Sequence, residues 1–343
     1  MKKLLNTLFV TTQGAYLSKK GDTVLVNHEQ QVKLRVPIHN LGSIVCFGNV
    51  LCSPFLLGLC SEHDVTLSFL NENGRFLARV HGPVSGNVLL RREQYRQADD
   101  PASTAGVARS VVTAKIANSR IVIQRALRDR AELGNETALK RAVDDLEQYI
   151  KQLQNKNNVD QIRGIEGHAS AVYFGVFDSL ISSNRESFFF KNRSRRPPLD
   201  NMNALLSFLY TLLVHDVSLA LESVGLDPAV GFLHRDRPGR PGLALDLMEE
   251  LRAYLADRLA LSLVNRQQVK PEGFAKTESG AVTMDDETRK TVLVAWQKRK
   301  QEEITHLFLQ EKVCIGLLAH IQAQLLARYL RGELDGYPPF LWR

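Results

Sequence analysis

Hydrophobic residues recur at every second position from the start of the chain to about Pro83. Val32, Leu34, Val36 and Ile38 alternate with polar neighbours, as do Val65, Leu67 and Phe69; Phe76, Ala78 and Val80 continue the pattern after a turn at Asn71-Glu72-Asn73-Gly74. A period of two describes a strand with one covered face, and Lys19-Lys20-Gly21-Asp22 has the composition of a hairpin turn. Met1-Lys2-Lys3-Leu4-Leu5 opens like a signal peptide, but Asn6, Thr7, Thr11, Thr12 and Gln13 break the apolar run, which predicts a first strand instead. One helix interrupts the region near Pro54 to Glu62, where Phe55, Leu56, Leu59 and Cys60 recur at helical spacing.

Beyond His81-Gly82-Pro83 the spacing changes to 3.6. Arg109 to Arg130, Glu136 to Gln154, Asp200 to Ser223, Leu243 to Leu263, Thr288 to Phe308 and Val313 to Leu330 read as helices, with few strand signals before the polar segment near 275–286. Strands followed by helices predict an α+β protein: a small β-rich N-terminal domain, residues 1–83, ahead of a larger all-α C-terminal domain, residues 84–343. No repeat of 20 to 50 residues points to a solenoid. No stretch reaches the roughly 18 apolar residues of a membrane span, so a cytoplasmic protein with no membrane partner is expected.

Charge adds a partner class. The net charge is +7 and the sequence pI about 9.2, a balance that favours polyanions such as nucleic acid. Cys46, Cys52, Cys60 and Cys314 show no Cys-x-x-Cys pairing and read as buried thiols. The absence of a Gly-rich phosphate-binding loop ending in Gly-Lys-Ser/Thr disfavours nucleotide hydrolysis, and there is no Gly-x-Ser-x-Gly elbow.

Three places set acidic or imidazole groups among apolar or small neighbours. In Arg163-Gly164-Ile165-Glu166-Gly167-His168 a carboxylate stands between glycines at the start of an apolar helix; it could face a ligand, or simply complement the helix dipole from the first turn. The second place is Gly231-Phe232-Leu233-His234. The third is the helix opened by Pro241-Gly242, where Asp246, Glu249 and Glu250 form a stripe at i, i+3 and i+4, with Glu250 predicted to turn toward solvent. Such a stripe is usually a solvated face. Against that, the loop Arg235-Asp236-Arg237-Pro238-Gly239-Arg240 can fold His234 back over the helix's first turn, and two carboxylates with an imidazole suit Mg²⁺ or Mn²⁺. Spacing alone does not bring Glu166 to that place. Arg235, Arg237 and Arg240 flank it and could counter phosphate charge, with Arg163, Arg195 and Arg196 as further DNA-binding candidates. The segment Arg185 to Arg196 mixes phenylalanines with guanidinium groups, as single-stranded ends are held, or as a loop docked on the core by its aromatics. His168, two residues from Glu166, points elsewhere on a helix and reads as structural, and Tyr173 is given no role.

These features, in this order, resemble one family: the CRISPR-associated endonuclease and integrase, protein one of the spacer-acquisition machinery. The resemblance rests on Leu41-Gly42-Ser43-Ile44-Val45-Cys46-Phe47-Gly48, Arg163-Gly164-Ile165-Glu166-Gly167 with Tyr173-Phe174, Asp200 with Asn203-Ala204-Leu205-Leu206-Ser207, Gly231-Phe232-Leu233-His234, and Leu245-Asp246-Leu247-Met248-Glu249-Glu250-Leu251-Arg252. The ending Tyr337-Pro338-Pro339-Phe340-Leu341-Trp342 is similar to the subtype I-C branch. The resemblance implies a dimerising β domain and a helical catalytic domain with one Mg²⁺ or Mn²⁺ ion held by Glu166, His234 and Glu249, Asp246 being a supporting acid. It implies attack by the 3′-hydroxyl of captured double-stranded DNA on the CRISPR repeat. It further implies a homodimer that joins a small ferredoxin-like partner, protein two, in a heterohexameric complex. Two other readings of the residues are a metal-dependent nuclease acting on branched DNA in repair and a non-catalytic nucleic-acid-binding scaffold.

Overall fold

The alternating region forms two four-stranded sheets in the computed structural model, which describes residues 7–72, 74, 76–80, 88–129 and 135–343. Strands β1 (Thr7–Val10), β5 (Ser43–Phe47) and β7 (Thr66–Leu70) run parallel, and β8 (Phe76–Val80) closes the edge antiparallel to β7. The second sheet has the order β4-β3-β2-β6: β2 (Tyr16–Lys20), β3 (Thr23–His28) and β4 (Gln31–Pro37) are an antiparallel meander, and β6 (Leu51–Cys52) lies parallel to β2. Val10, Leu17, Val26, Ile44 and Leu67 share one core with Leu56 and Leu59 of helix α1 (Pro54–Glu62). Helix α1 begins where Ser53 accepts the Leu56 N–H at 3.2 Å and Pro54 presets the first turn. The predicted covered face of β4 stays open: Val32 and Leu34 are 41% and 44% exposed on this edge strand, and Phe55 of α1 is 78% exposed.

Residues 1–85 and 86–343 form two compact units. The predicted boundary at His81-Gly82-Pro83 and the opening Met1–Leu5 lie outside the described residues. All four cysteines are free, with Cys46 and Cys60 buried and Cys52 and Cys314 half-buried.

The second unit is built on α2 (Val88–Asp99), α3 (Pro101–Asp129), α4 (Glu136–Leu153), α5 (Val159–Gly175), α6 (Asn201–Ser223), α7 (Gly242–Leu251), α8 (Arg258–Asn265), α9 (Asp286–Gln301) and α10 (Leu318–Leu330). The helix expected from Thr288 to Phe308 stops at Gln301, and the one expected from Val313 starts at Leu318. Between them β11 (Glu303–His306) and β12 (Glu311–Cys314) form a hairpin, where β-branched Ile304 pairs with Val313 and Thr305 with Lys312, and Gln310 takes a positive φ of 57° in the turn. A smaller hairpin, β9 (Phe274–Lys276) with β10 (Val282–Met284), sits in the polar segment. The helix predicted from Leu243 to Leu263 is split by a π-helical turn at Arg252–Asp257.

Helix α6 corrects the expectation that no stretch is apolar enough for a membrane span. With 23 residues and a mean hydropathy of 1.7 it is long and apolar enough to cross one by length and composition. Met202, Leu205, Leu206, Leu209, Leu213 and Val217 are instead buried in the core of the helical unit, which a central helix apolar on most faces requires.

Glu250 was expected to face solvent and is fully buried. Its Oε1 accepts from Tyr337 Oη at 2.7 Å, and its Oε2 accepts from Gln322 Nε2 at 2.9 Å and the Phe340 N–H at 2.7 Å. Asn118 of α3 receives the Trp342 N–H at 2.9 Å and donates to the Phe340 carbonyl at 2.9 Å, so the segment Tyr337–Trp342 is tied to α3 and α7 together. Burial pushes the Glu250 carboxyl from its ordinary 4.5 up to about 8, only partly opposed by Phe340, Tyr337 and Gln322. Between those values the folded chain holds a proton that the unfolded chain has lost. This group's stabilisation is therefore complete below about 4.5 and disappears as pH rises through about 8. Glu250→Gln should flatten the decline of stability between roughly pH 5 and pH 9, measured by urea denaturation; a decline as steep as in the parent would refute this assignment.

Candidate active site

Two glycines decide how the loop ahead of α7 is laid. A Cβ at Gly231 would come within 2.7 Å of both Asp246 Oδ2 and the Gly242 carbonyl carbon, and one at Gly242 within 2.6 Å of the Ala229 oxygen. Without those side chains the loop presses onto the first turn of α7. There Asp246, 1% exposed, accepts three successive backbone N–H groups: Phe232 at 2.6 Å, Leu233 at 2.9 Å and His234 at 2.9 Å. Its Oδ1 also meets His234 Nδ1 at 2.6 Å. His234 is thus folded over α7 as the sequence suggested, and Asp246 sets both its backbone and its ring. Removing this carboxylate strands buried donors, each costing about 1–3 kcal/mol. Asp246→Ala should therefore lose on the order of 3 kcal/mol of stability and release amide exchange at 232–234. Chemical denaturation and hydrogen exchange of those amides check it, and unchanged protection would remove Asp246 from this role.

Glu166 lies in the middle of α5, not in its first turn, so dipole complementation does not account for it. The helix starts seven residues earlier, where Asn158 Oδ1 accepts the Asp160 N–H at 2.8 Å and the Gln161 N–H at 3.2 Å. Glu166 Oε1 accepts from Ser170 Oγ at 2.9 Å, one turn on, and from Lys115 Nζ of α3. The same ammonium lies 2.9 Å from Glu249 Oε2 of α7. Lys115 therefore joins the two carboxylates, and no reading of the sequence identified it. A signal existed: Lys115 falls on the buried stripe of α3 with Val111, Val112, Asn118 and Ser119, three and four residues to either side.

Glu249 is 3% exposed. Burial alone would push its pKa up, but Arg252, Lys115 and His234 outweigh it and hold the carboxyl down at about 2, so the group is ionised. Arg252 approaches Glu249 Oε1 at 2.9 Å and lies over the Tyr210 ring at 4.7 Å. At the other end of the π-helical turn, Asp257 accepts from Tyr210 Oη at 2.5 Å and Tyr173 Oη at 3.1 Å. Burial raises Asp257 to about 6 against those donors and Arg252. Tyr173, given no role from sequence, thus fixes the π turn that places Arg252. The stripe of three acids is buried throughout, which overturns its reading as a solvated face.

Several predicted arginines gather here. The proton affinity of Arg240 is lowered by burial and by Arg237, and Arg195 and Arg163 act on it in the same direction, against the Asp246 carboxylate. Arg237 and Arg195 are exposed. Arg163 is partly committed to structure, donating from Nε to the Leu233 carbonyl at 2.5 Å and from Nη1 to Asp160 at 2.7 Å; Arg235 reaches the same Asp160 at 3.0 Å. Arg196 is exposed. The 185–196 segment resolves toward docking: Phe188 and Phe190 are buried, the latter stacked on Phe174 at 5.4 Å, and only Phe189 keeps an exposed face. Arg193, not singled out from sequence, donates to Asn203 Oδ1 at 2.7 Å and Ser207 Oγ at 3.0 Å. His168 is exposed and near Tyr149, with ring centroids 6.3 Å apart.

The donor set fits a divalent cation in kind. Two carboxylates, one of them buried and ionised, stand with an imidazole whose Nδ1 is held by a second acid. Glu249 Oε2 is buried and accepts no aligned hydrogen bond among the described residues, the Lys115 ammonium approaching it as an ion pair. Among the described residues no three acidic, imidazole or thiol groups converge as ligands as they stand, and Lys115 lies between Glu166 and Glu249.

The β-rich unit and the helical unit carrying this acidic and cationic cluster are matched in known proteins. The family model described as CRISPR associated protein Cas1 matches residues 8–298. The chain is 57% identical over 343 residues to a CRISPR-associated endonuclease Cas1 of Chlorobaculum tepidum, across the whole of both chains. A CAS1 protein from Thermotoga maritima superposes with a TM-score of 0.82 at 25% identity, over 98% of this chain and 100% of that one. A casposase bound to integration product shares the fold, with a TM-score of 0.83 at 21% identity over 97% of this chain and 93% of that one. The chain belongs to the Cas1 family of CRISPR-associated endonucleases.

Proposed function

We propose that this protein is a metal-dependent DNA integrase and endonuclease of CRISPR adaptation, of the subtype I-C branch. It joins the 3′-hydroxyl ends of captured double-stranded DNA to the CRISPR repeat by transesterification. The observation that carries the reading is the meeting of Glu166 and Glu249, from separate helices, beside a His234 oriented by Asp246 and under a cluster of arginines. Glu166, His234 and Glu249 would hold Mg²⁺ or Mn²⁺, which when bound polarises a phosphoryl oxygen and stabilises charge developing on it.

The chain's own residues supply the rest. Asp246 takes Nδ1 of His234 and so leaves Nε2 as the ring nitrogen that faces the ligand side. Arg237, Arg240, Arg195 and Arg163 neutralise the backbone phosphates of the two DNAs, and Gly164 and Gly167, with open space where a side chain would stand, leave the flank of Glu166 bare to an approaching strand. As the attacking 3′-oxygen bonds to phosphorus it gives up its proton, and the repeat's own 3′-oxygen leaves and gains one. One phosphodiester replaces another, so no nucleotide is consumed. With water as the attacking group the same residues hydrolyse DNA.

The partners on this reading are a second copy of this chain and the small ferredoxin-like protein two bridging two dimers in a heterohexamer, all in the cytoplasm; a Cas6-RT-Cas1–Cas2 complex of the same fold supports a partner of that kind. The exposed Val32, Leu34 and Phe55 give the β-rich unit an apolar surface suited to the homodimer.

Glu166→Ala, His234→Ala and Glu249→Gln should each reduce joining of a labelled 3′-ended duplex to a repeat-containing plasmid by 10²-fold or more, an order-of-magnitude loss for a charge-stabilising group. Glutamine is chosen at 249 because it removes the charge while keeping the side chain's volume and one oxygen that can accept from Arg252; Lys115 retains Glu166. Joining at parental rate by folded Glu249→Gln refutes the assignment. Duplex binding should also weaken on the order of 10²-fold between about 50 and 200 mM salt if about four phosphates are neutralised. An affinity independent of salt would refute the arginine surface.

A further inference from the structure

Lys115 touches two of the proposed ligands without being a ligand itself. Its side chain is 10% exposed, it comes from a third helix, and its ammonium contacts one oxygen of each carboxylate. A lysine is rarely buried to this degree unless it is paired. Here the pairing is two-fold, and both partners are the acids that the proposed function assigns to a metal. A cation already sits at the meeting point of Glu166 and Glu249, and it is supplied by the chain.

Charge balance makes that position contested. Glu166 and Glu249 contribute two negative charges, and Lys115 and Arg252 contribute two positive ones, so these four groups balance with the ammonium in place. Adding a divalent ion on the same oxygens brings the ammonium against like charge at a few ångströms in a desolvated site, which is strongly unfavourable. The lengths also conflict: Nζ lies 2.9 Å from Glu249 Oε2, whereas Mg²⁺ takes its oxygens at about 2.0–2.1 Å. The carboxylates cannot close on a divalent ion with the ammonium still between them. Arg252 is differently placed. It takes the other oxygen of Glu249, Oε1, and is backed by the Tyr210 ring, so it can remain.

We infer that Lys115 is an exchangeable internal cation: it keeps Glu166 and Glu249 together until a divalent ion binds, and the ion displaces its ammonium from both carboxylates. Lys115 is on this account a positioning residue that competes with metal. After exchange its charge is freed from the acids, and the site gains net positive charge in step with the arrival of a phosphodiester. This rests on the metal-dependent reading of the site and specifies a cost of metal entry that the ligands alone do not contain.

The test compares the full-length parent, Lys115→Met and Lys115→Gln for Mn²⁺ binding, followed by electron paramagnetic resonance of the free ion, with thermal melting in chelator and in Mn²⁺. In chelator Lys115→Met should melt below the parent, since the two carboxylates then repel. It should bind Mn²⁺ about tenfold more tightly, which corresponds to removing roughly 1.4 kcal/mol of competition, and Mn²⁺ should raise its melting temperature by more than the parent's. Lys115→Gln, which keeps a hydrogen-bond donor, should fall between the two and carries the comparison if the methionine variant does not fold. Parent that binds Mn²⁺ in a Glu249-dependent way, with folded Lys115 variants binding no more tightly, overturns the exchange and leaves the metal site standing. Parent with no Glu249-dependent Mn²⁺ binding overturns the metal reading, and the exchange with it.

Discussion

Three ionisable acids within one and a half turns of α7 are buried, and each imposes a separate demand on the surrounding chain. Asp246 is met by the backbone of the loop at 232–234, Glu249 by Lys115 and Arg252, and Glu250 by Gln322, Tyr337 and the Phe340 N–H. A buried carboxylate without donors costs several kcal/mol, so these contacts are conditions for folding. They draw the loop before α7, the helix α3, the helix α10 and the C-terminal segment onto a single helical turn. The arrangement that gathers the site and the arrangement that makes the helical unit cohere are largely the same set of bonds.

That dual use explains why the acids differ so much in character although they are neighbours. Glu249 is held ionised at about 2 because neighbouring cations outweigh its burial, and burial raises Glu250, one residue on, to about 8 because neutral donors alone face it among the described residues. The first is suited to binding a cation and the second to locking a segment. Asp257 falls between at about 6, where two tyrosine hydroxyls and Arg252 moderate its burial. The π-helical turn from Arg252 to Asp257 is what allows both ends to serve: it sets Arg252 on Glu249 and Asp257 under Tyr173 and Tyr210.

How much of this was legible depended on the range of the interaction. Period-two alternation located β4, β7 and β8, and helical spacing located α4 and α6 to within a residue, because both are local properties. The approach of His234 to Asp246 was also legible, since twelve residues and a glycine at each contact leave the loop few other paths. Glu166 was not placed by spacing, because its arrival depends on α3, α5 and α7 packing together. The misreading of Glu250 came from assuming one solvated face on α7; almost every residue of that helix is buried, and a helical wheel has no outside in such a place. Both arms of the hairpin at 303–314 were drawn into the neighbouring helices, up to Phe308 and from Val313, because helical spacing runs on into them, and the cross-strand pairing of Glu303–His306 with Glu311–Cys314 decides otherwise.

Lys115 illustrates the remaining gap most clearly. A lone lysine in an apolar stripe reads as a solvated residue until a partner is known, and here the partners are 51 positions away for Glu166 and on another helix again for Glu249. Once the partners are known, the difference between the two cations becomes informative. Arg252 sits three residues from Glu249 on the adjoining π turn, with its guanidinium over an aromatic ring, so its position is set by local geometry whatever occupies the carboxylates. Lys115 reaches the site on a flexible stem whose ammonium, among the described residues, is placed by the two acids it contacts. A fixed guanidinium and an exchangeable ammonium on opposite oxygens of Glu249 let one carboxylate be stabilised permanently from one side and serve a ligand from the other.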